Sequence, residues 1–93
     1  RAMSLRLNDE IYVLGMRGEK STSGYTVDVE KIVKDEKTKE EFELVIHAKF
    51  KDPDPNEIVA QSFTYPFAIV KTNLKQMPDS IKLEVEYGEW VRG

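Results

Sequence analysis

Apolar and polar residues alternate along most of this 93-residue chain. Between Phe42 and Phe50 the pattern is cleanest: Phe42, Leu44, Ile46, Ala48 and Phe50 alternate with Glu43, Val45, His47 and Lys49. Successive side chains of a strand point to opposite faces, so this spacing predicts a strand with one buried face and one mixed, solvated face. Ile81, Leu83, Val85 and Tyr87 repeat the pattern against Lys82, Glu84 and Glu86, and Tyr25, Val27 and Val29 repeat it against Thr26, Asp28 and Glu30. Ile11 to Met16 is apolar on both faces, as a central strand would be. Ile58 to Phe63 and Pro66 to Lys71 read as two further short β-type runs; Pro66 cannot donate to a ladder and so marks an edge or a bulge.

Turn chemistry collects between these runs, at Asn8-Asp9, Gly15 to Gly24, Lys34 to Lys39, Asp52 to Asn56 and Thr72 to Ser80. A helix over Asp28 to Glu41 is the rival reading. Its apolar members would be Val29, Ile32 and Val33, with nothing further until Phe42, so it would have no second buried turn. A strand, a charged hairpin around Asp35-Glu36-Lys37 and a return strand fit better. The expected fold is all-β: a small antiparallel, Ig-like two-layer sandwich of six to seven short strands, with a barrel as the other way to close it. Arg1 to Ser4 shows no leader pattern and reads as an appended or disordered start, leaving residues 5–93 as a single β domain.

Composition narrows the chemistry. Fourteen Lys and Arg against 17 Asp and Glu give a net charge of −3, the wrong sign for a general phosphate-backbone binder, and no nucleic-acid partner is expected. No apolar run approaches the ~18–20 residues needed to span a bilayer. The absence of cysteine removes disulfides, thiolate zinc sites and thiol nucleophiles, and is compatible with either redox environment. No Asn-x-Ser/Thr acceptor is present.

Familiar catalytic and metal patterns fail one by one. His47 is the lone histidine, on the outward face of its strand, and a zinc site needs three or four ligands. Asp52-Pro53-Asp54-Pro55-Asn56 echoes the start of a calcium loop. Glu57 then stands where the sharp turn needs Gly, and Phe63 where a bidentate Glu is required. Lys20-Ser21-Thr22 echoes the tail of a phosphate loop, with Glu19 and Leu14 at the two Gly positions. The carboxylates alternate with Lys or apolar residues, as on a solvated strand face, and no base is placed to activate a serine. No catalytic residue, metal ligand or cofactor is therefore assigned.

One stretch stands apart. In Gly18-Glu19-Lys20-Ser21-Thr22-Ser23-Gly24-Tyr25-Thr26-Val27 two glycines bracket five polar residues, and an aromatic then opens an alternating strand. Gly18 and Gly24 can take positive φ and turn the loop back on itself, while Ser21, Thr22 and Ser23 can bond its backbone or a partner. This stretch resembles the signature of the PrcB C-terminal domain family, approximately G-x-x-P-T-G-G-Y-x-V. Gly18, Thr22, Gly24, Tyr25 and Val27 match it; Ser21 stands at the Pro and Ser23 at the first of the paired Gly. Val59-Ala60-Gln61-Ser62-Phe63-Thr64-Tyr65-Pro66-Phe67, after the Pro-containing turn at 52–55, is similar to the family's V-x-Q-x-x-T-Y-P-aromatic segment, and Val70-Lys71 closes it.

The resemblance implies a non-catalytic module. Its namesake is a lipoprotein subunit that associates with and stabilises a surface-exposed subtilisin-like protease. The expected role is thus a protein-interaction module of an envelope or secreted protease complex, placed at the cell envelope or outside the cell by resemblance alone. Its partner-binding residues would be Gly18, Thr22, Ser23, Gly24, Tyr25, Tyr65, Pro66 and Phe67. Two alternatives stay open. Ser21 to Tyr25 is also similar to a loop of chagasin-type protease inhibitors, whose later Arg-Pro-Trp-like loop has a loose counterpart in Gly88-Glu89-Trp90-Val91-Arg92. A small-ligand or glycan-binding sandwich would use Tyr12, Tyr65, Tyr87 and Trp90 as stacking platforms.

Overall fold

The computed structural model describes residues 1–91. Six strands form two three-stranded sheets, with no helix and no closed barrel among the described residues. In chain order they are β1 (Ala2–Leu7), β2 (Glu10–Met16), β3 (Thr26–Glu36), β4 (Phe42–Lys51), β5 (Phe67–Lys71) and β6 (Ser80–Tyr87). One sheet runs β1-β2-β5, the other β3-β4-β6. The fold is a small two-layer β-sandwich.

Each sheet has its most apolar strand in the middle. In β4 the even-numbered side chains Phe42, Leu44, Ile46, Ala48 and Phe50 are buried and the odd-numbered ones are half-exposed, as the alternation predicts. In β2, Ile11 and Val13 point inward. Val13 joins Phe42, Leu44 and Ile46 in the main core, and Val27, Ala48 and Phe50 form a second cluster, with Leu83 packed against both.

β3 keeps its register through a bulge. Val27 pairs with Phe50 and Val29 with Ala48, whereas beyond Glu30 Lys31 pairs with His47 and Ile32 with Ile46. The extra residue shifts the phase, so the inward positions change from odd to even numbers. A strict period of two therefore breaks between Val29 and Ile32, which is why this region also read as a weak helix. The hairpin closes at Lys37 to Glu41, where the Lys37 and Thr38 amides donate to the Glu41 carbonyl.

Three features differ from the sequence expectation. Ile58–Phe63 is not a strand: it belongs to the long connection between β4 and β5, the Ala60 amide and carbonyl bond Ser23 of another loop, and Ile58 is 99% exposed. The second sheet is mixed, because β4 and β6 pair in parallel. The chain leaves β4, crosses to the other sheet as β5 and returns as β6, and two crossings restore the original direction. The sandwich is therefore not purely antiparallel. Finally, β1 includes Ala2, Met3 and Ser4. Asn8 (φ 52°) and Asp9 (φ 64°) join β1 to β2 in a two-residue turn with both φ positive, the type I′ geometry whose twist suits a hairpin.

Connections gather at the two ends. Residues 17–25, 52–66 and 88–91 lie at one end, beyond Met16, Lys51 and Tyr87; residues 8–9, 37–41 and 72–79 lie at the other. β3 and β4 outrun the strands of the other sheet, giving a long axis of 50 Å and a radius of gyration of 15.2 Å, against about 12 Å for a compact chain of this length.

Candidate functional site

The Gly18–Gly24 loop and the segment 60–67 are zipped together. The Lys20 amide donates to the Thr64 carbonyl at 2.8 Å and the Thr64 amide returns a bond to Lys20 at 2.9 Å. Beyond this bridge, the Ser23 amide donates to Ala60 O (3.0 Å) and Ser23 Oγ accepts from the Ala60 amide (2.9 Å). Thr64 Oγ1 donates to Thr22 O at 2.8 Å, and the Arg17 amide donates to Pro66 O at 3.2 Å. At Ala60, the backbone amide and carbonyl that a strand would have offered to a sheet are thus used by Ser23 instead.

Positive φ at Gly18 (85°) and Gly24 (99°) sets the loop's shape. At Gly24 a Cβ would stand 2.7 Å from the Pro53 ring and 3.4 Å from Val59 Cγ1, so the chain passes too close to the 52–59 connection for any side chain. Ser23 tolerates the place of the family's first paired Gly because its own φ is not positive.

Arg17 anchors this end of the molecule. Its side chain is 3% exposed. One guanidinium nitrogen donates to Thr26 O (3.2 Å) and Lys51 O (2.9 Å), and the other meets Asp52 Oδ1 at 2.6 Å. The guanidinium also lies 4.6 Å from the Phe50 ring centroid, 5.2 Å from Tyr25 and 5.9 Å from Tyr87. One cation thus joins the end of β2 to β3, β4 and β6, and holds Tyr25 half-buried beside the core. Sequence reasoning passed over Arg17. The available signal was a charged residue directly after the all-apolar run Ile11–Met16, at a position the turn-like glycine behind it made easy to read as solvent.

Tyr65 has a different character. It is 65% exposed, and its hydroxyl donates to Glu19 Oε1 at 2.7 Å. That bond, and the carboxylate's charge, raise the phenol's pKa above its ordinary 10.0. Lys20 Nζ lies 5.2 Å from the Tyr25 ring centroid, so the loop's charged residues stand over its aromatics.

Of the eight expected partner-binding residues, Ser23, Gly24, Tyr25, Tyr65, Pro66 and Phe67 line one shallow groove of about 290 Å³, together with Thr64. Gly18 lines an adjoining apolar hollow of about 280 Å³ with Leu14, Met16, Tyr65, Pro66 and Phe67. Thr22 is tied in through its carbonyl. Tyr25 is half-buried, whereas Phe63, Tyr65 and Phe67 are exposed. Larger clefts of about 410 and 610 Å³ lie at the opposite end, around Lys34, Asn73 and Leu74, and hold none of these residues.

The motifs set aside as chemistry have structural partners. Asp52 pairs with Arg17, Asp54 accepts the Asn56 amide at 2.9 Å in a local turn, and His47 Nδ1 lies 3.4 Å from Glu84 Oε2 on the outer face of the β3-β4-β6 sheet. The four aromatics considered as stacking platforms do not share a face. Tyr12 is on the outer face of the β1-β2-β5 sheet, Tyr87 packs edge-on against Phe50, and Trp90 lines a hollow with Thr26, Asp28 and Lys51. Arg92, in the loose inhibitor-like motif, lies outside the described residues.

These two joined segments are the ones that carry the family resemblance in the sequence. The family model described as PrcB C-terminal matches residues 11–73. The chain belongs to the PrcB C-terminal family. The match runs from β2 through β5 and includes both zipped segments, with β1 and β6 outside it. No curated protein and no solved structure matches the chain.

Proposed function

We propose that this PrcB C-terminal domain is a non-catalytic docking module of a protease complex, acting at the cell envelope or outside the cell. Its contact surface is the end of the sandwich built from Gly18, Thr22, Ser23, Gly24, Tyr25, Tyr65, Pro66 and Phe67. The observation that carries this reading is that the two family-signature segments are held as one unit by the bridge between Lys20 and Thr64, 44 residues apart in sequence. That unit turns Phe63, Tyr65 and Phe67 outward. Rigid aromatic side chains offer large contact area at low entropic cost, and a preorganised loop loses little freedom on binding. A subtilisin-like protease is the partner the family membership favours.

A pull-down from the source cell's envelope fraction tests this. The bait is the parent chain or a Phe63→Ala/Tyr65→Ala variant with unchanged circular dichroism. Capture of a protease by the parent alone supports the docking role. Equal capture by both moves the contact surface elsewhere, and absence of any protease from both contradicts it.

One observation favours a second reading, a chagasin-like inhibitor. The segment bearing exposed Trp90 returns to this same end, where the Val91 amide donates to Asp52 O at 2.9 Å, next to Arg17. Titration of a papain-like protease with the purified chain separates the two: stoichiometric inhibition supports the inhibitor, and undiminished activity at excess chain excludes it.

A further inference from the structure

We propose that the outer face of the β1-β2-β5 sheet packs against the same face of a second copy of this chain in a two-fold dimer. The starting point is the contrast between the molecule's two outer faces. On the β3-β4-β6 sheet the outward cross-strand rows are Asp28–Lys49–Glu86, Lys31–His47–Glu84, Val33–Val45–Lys82 and Asp35–Glu43–Ser80, so charged residues dominate. Opposite charges side by side are what a sheet face presents to water. On the β1-β2-β5 sheet the outward rows read Met3–Leu14–Ile69, Leu5–Tyr12–Lys71 and Met16–Phe67, with Leu7 beside Glu10. Eight largely apolar side chains, Tyr12 among them, share that face with the Glu10–Lys71 ion pair (2.9 Å) at one end and with Arg1, which pairs with Met16, at the other.

β1 makes the orientation decisive. It turns Ala2, Ser4 and Arg6 toward the other sheet, paired with Gly15, Val13 and Ile11, and sends Met3, Leu5 and Leu7 outward. A one-residue slip would bury the larger set. The I′ turn at Asn8-Asp9 fixes the register that exposes it. An isolated domain gains nothing from that choice, whereas a domain with a second apolar layer beyond β1 does.

Size and charge point to a second copy as that layer. Met3, Leu7, Phe67 and Ile69 are each more than one third exposed. With their half-buried neighbours they present roughly 500 Å² of apolar surface, taking side chains of this class at ~150–250 Å². That is at the upper end of the ~300–600 Å² of the largest patch on a typical monomer. Two such faces together reach the ~1,000 Å² that a specific interface needs. A flat three-stranded face is matched by another sheet at ~10 Å, with strands rotated by about 30°. Each chain carries −3 overall, whereas this face carries only the Glu10–Lys71 pair and Arg1, so copies meet there with little like-charge contact. With the two-fold axis across the strands, the Glu10–Lys71 end of one copy lies over the Met16–Phe67 end of the other. Each Lys71 is then brought toward the partner's Glu19, the carboxylate that Tyr65 already bonds.

Sedimentation equilibrium over a concentration series tests the dimer, using the parent, Ile69→Lys and Leu7→Lys. The parent is expected to approach twice its 10.7 kDa mass. Either lysine, folded by circular dichroism, raises the dissociation constant at least about tenfold, as loss of one well-packed interface side chain does. If Ile69→Lys does not fold, Leu7→Lys, at the exposed end of β1, gives the same reading. A parent that stays at 10.7 kDa throughout, including one that instead binds an unrelated protein on this face, overturns the proposal. A dimer that survives a folded lysine variant does so too. The Phe63→Ala/Tyr65→Ala variant, which leaves the shared Phe67 intact, should dimerise like the parent, so loss of the docking role in it can be told from loss of the dimer.

Discussion

Replacing Arg17 by Met asks whether one buried cation organises the loop end of the domain. Methionine keeps most of the unbranched stem, so the change isolates the guanidinium. Lost are two bonds to the Thr26 and Lys51 carbonyls, the 2.6 Å contact with Asp52, and the approach to the Phe50 and Tyr25 rings. A hydrogen bond from a charged donor contributes ~1.5–3 kcal/mol net, and a cation–π contact ~0.5–2 kcal/mol. The several kcal/mol spent on burying a guanidinium is recovered in the variant and offsets about half of that loss. The expected destabilisation is therefore about 3 kcal/mol, to be read from the urea midpoint at unchanged m-value. In a domain of this size that corresponds to a thermal midpoint lower by roughly 12–24 °C. Asp52 is 48% exposed, so Asp52→Ala alone should cost less, and adding it to Arg17→Met should cost almost nothing further. Amide exchange at Lys20 and Thr64 should quicken in Arg17→Met, because the loop loses its fixed end. A change under ~0.5 kcal/mol, the size of an ordinary surface substitution, would refute the anchoring role.

Gly24→Val combines φ of 99° with a Cβ placed 2.7 Å from Pro53, so it should lower the thermal midpoint and abolish the slow exchange of the Ser23 and Thr64 amides; a parent-like melt would refute the close packing. Leu44→Ala empties the centre of the main core and should cost about 2–5 kcal/mol in urea unfolding. The Tyr65 phenol should titrate above the ordinary value of 10.0, and Glu19→Gln should bring it down. Because the folded state holds that proton, its contribution is present below pH 10 and is lost as pH rises through the raised pKa, so any stability difference between parent and Glu19→Gln should narrow there. Coincident phenol titrations in parent and Glu19→Gln would rule out the bond.

Much of the sandwich was legible because its central strands obey a strict period of two. β4 alternates without exception, and its burial follows residue by residue. What escaped the pattern has specific causes. β1 turns Met3, Leu5 and Leu7 outward and Ala2 and Ser4 toward the other sheet, so its hydrophobic signal points away from the core that would have revealed it. Ile58–Phe63 has strand-like residues, but prolines 53, 55 and 66 surround it and its Ala60 amide and carbonyl are bonded to Ser23 of the Gly18–Gly24 loop. Parallel pairing of β4 with β6 depends on how often the chain changes sheet, which no local spacing encodes. At the candidate site, the structure brings the two motif segments together, whereas Arg17 was invisible because its partners are distant carbonyls and rings.

The central claim is that residues 18–25 and 63–67 act as one contact surface. Its most direct test is hydrogen-exchange mapping of the chain alone and with the protease captured from the envelope fraction. The account predicts added protection at amides 19–25 and 60–67, with the outer face of the β3-β4-β6 sheet unchanged. Protection confined to that charged face, or to the hairpin at 37–41, would contradict it.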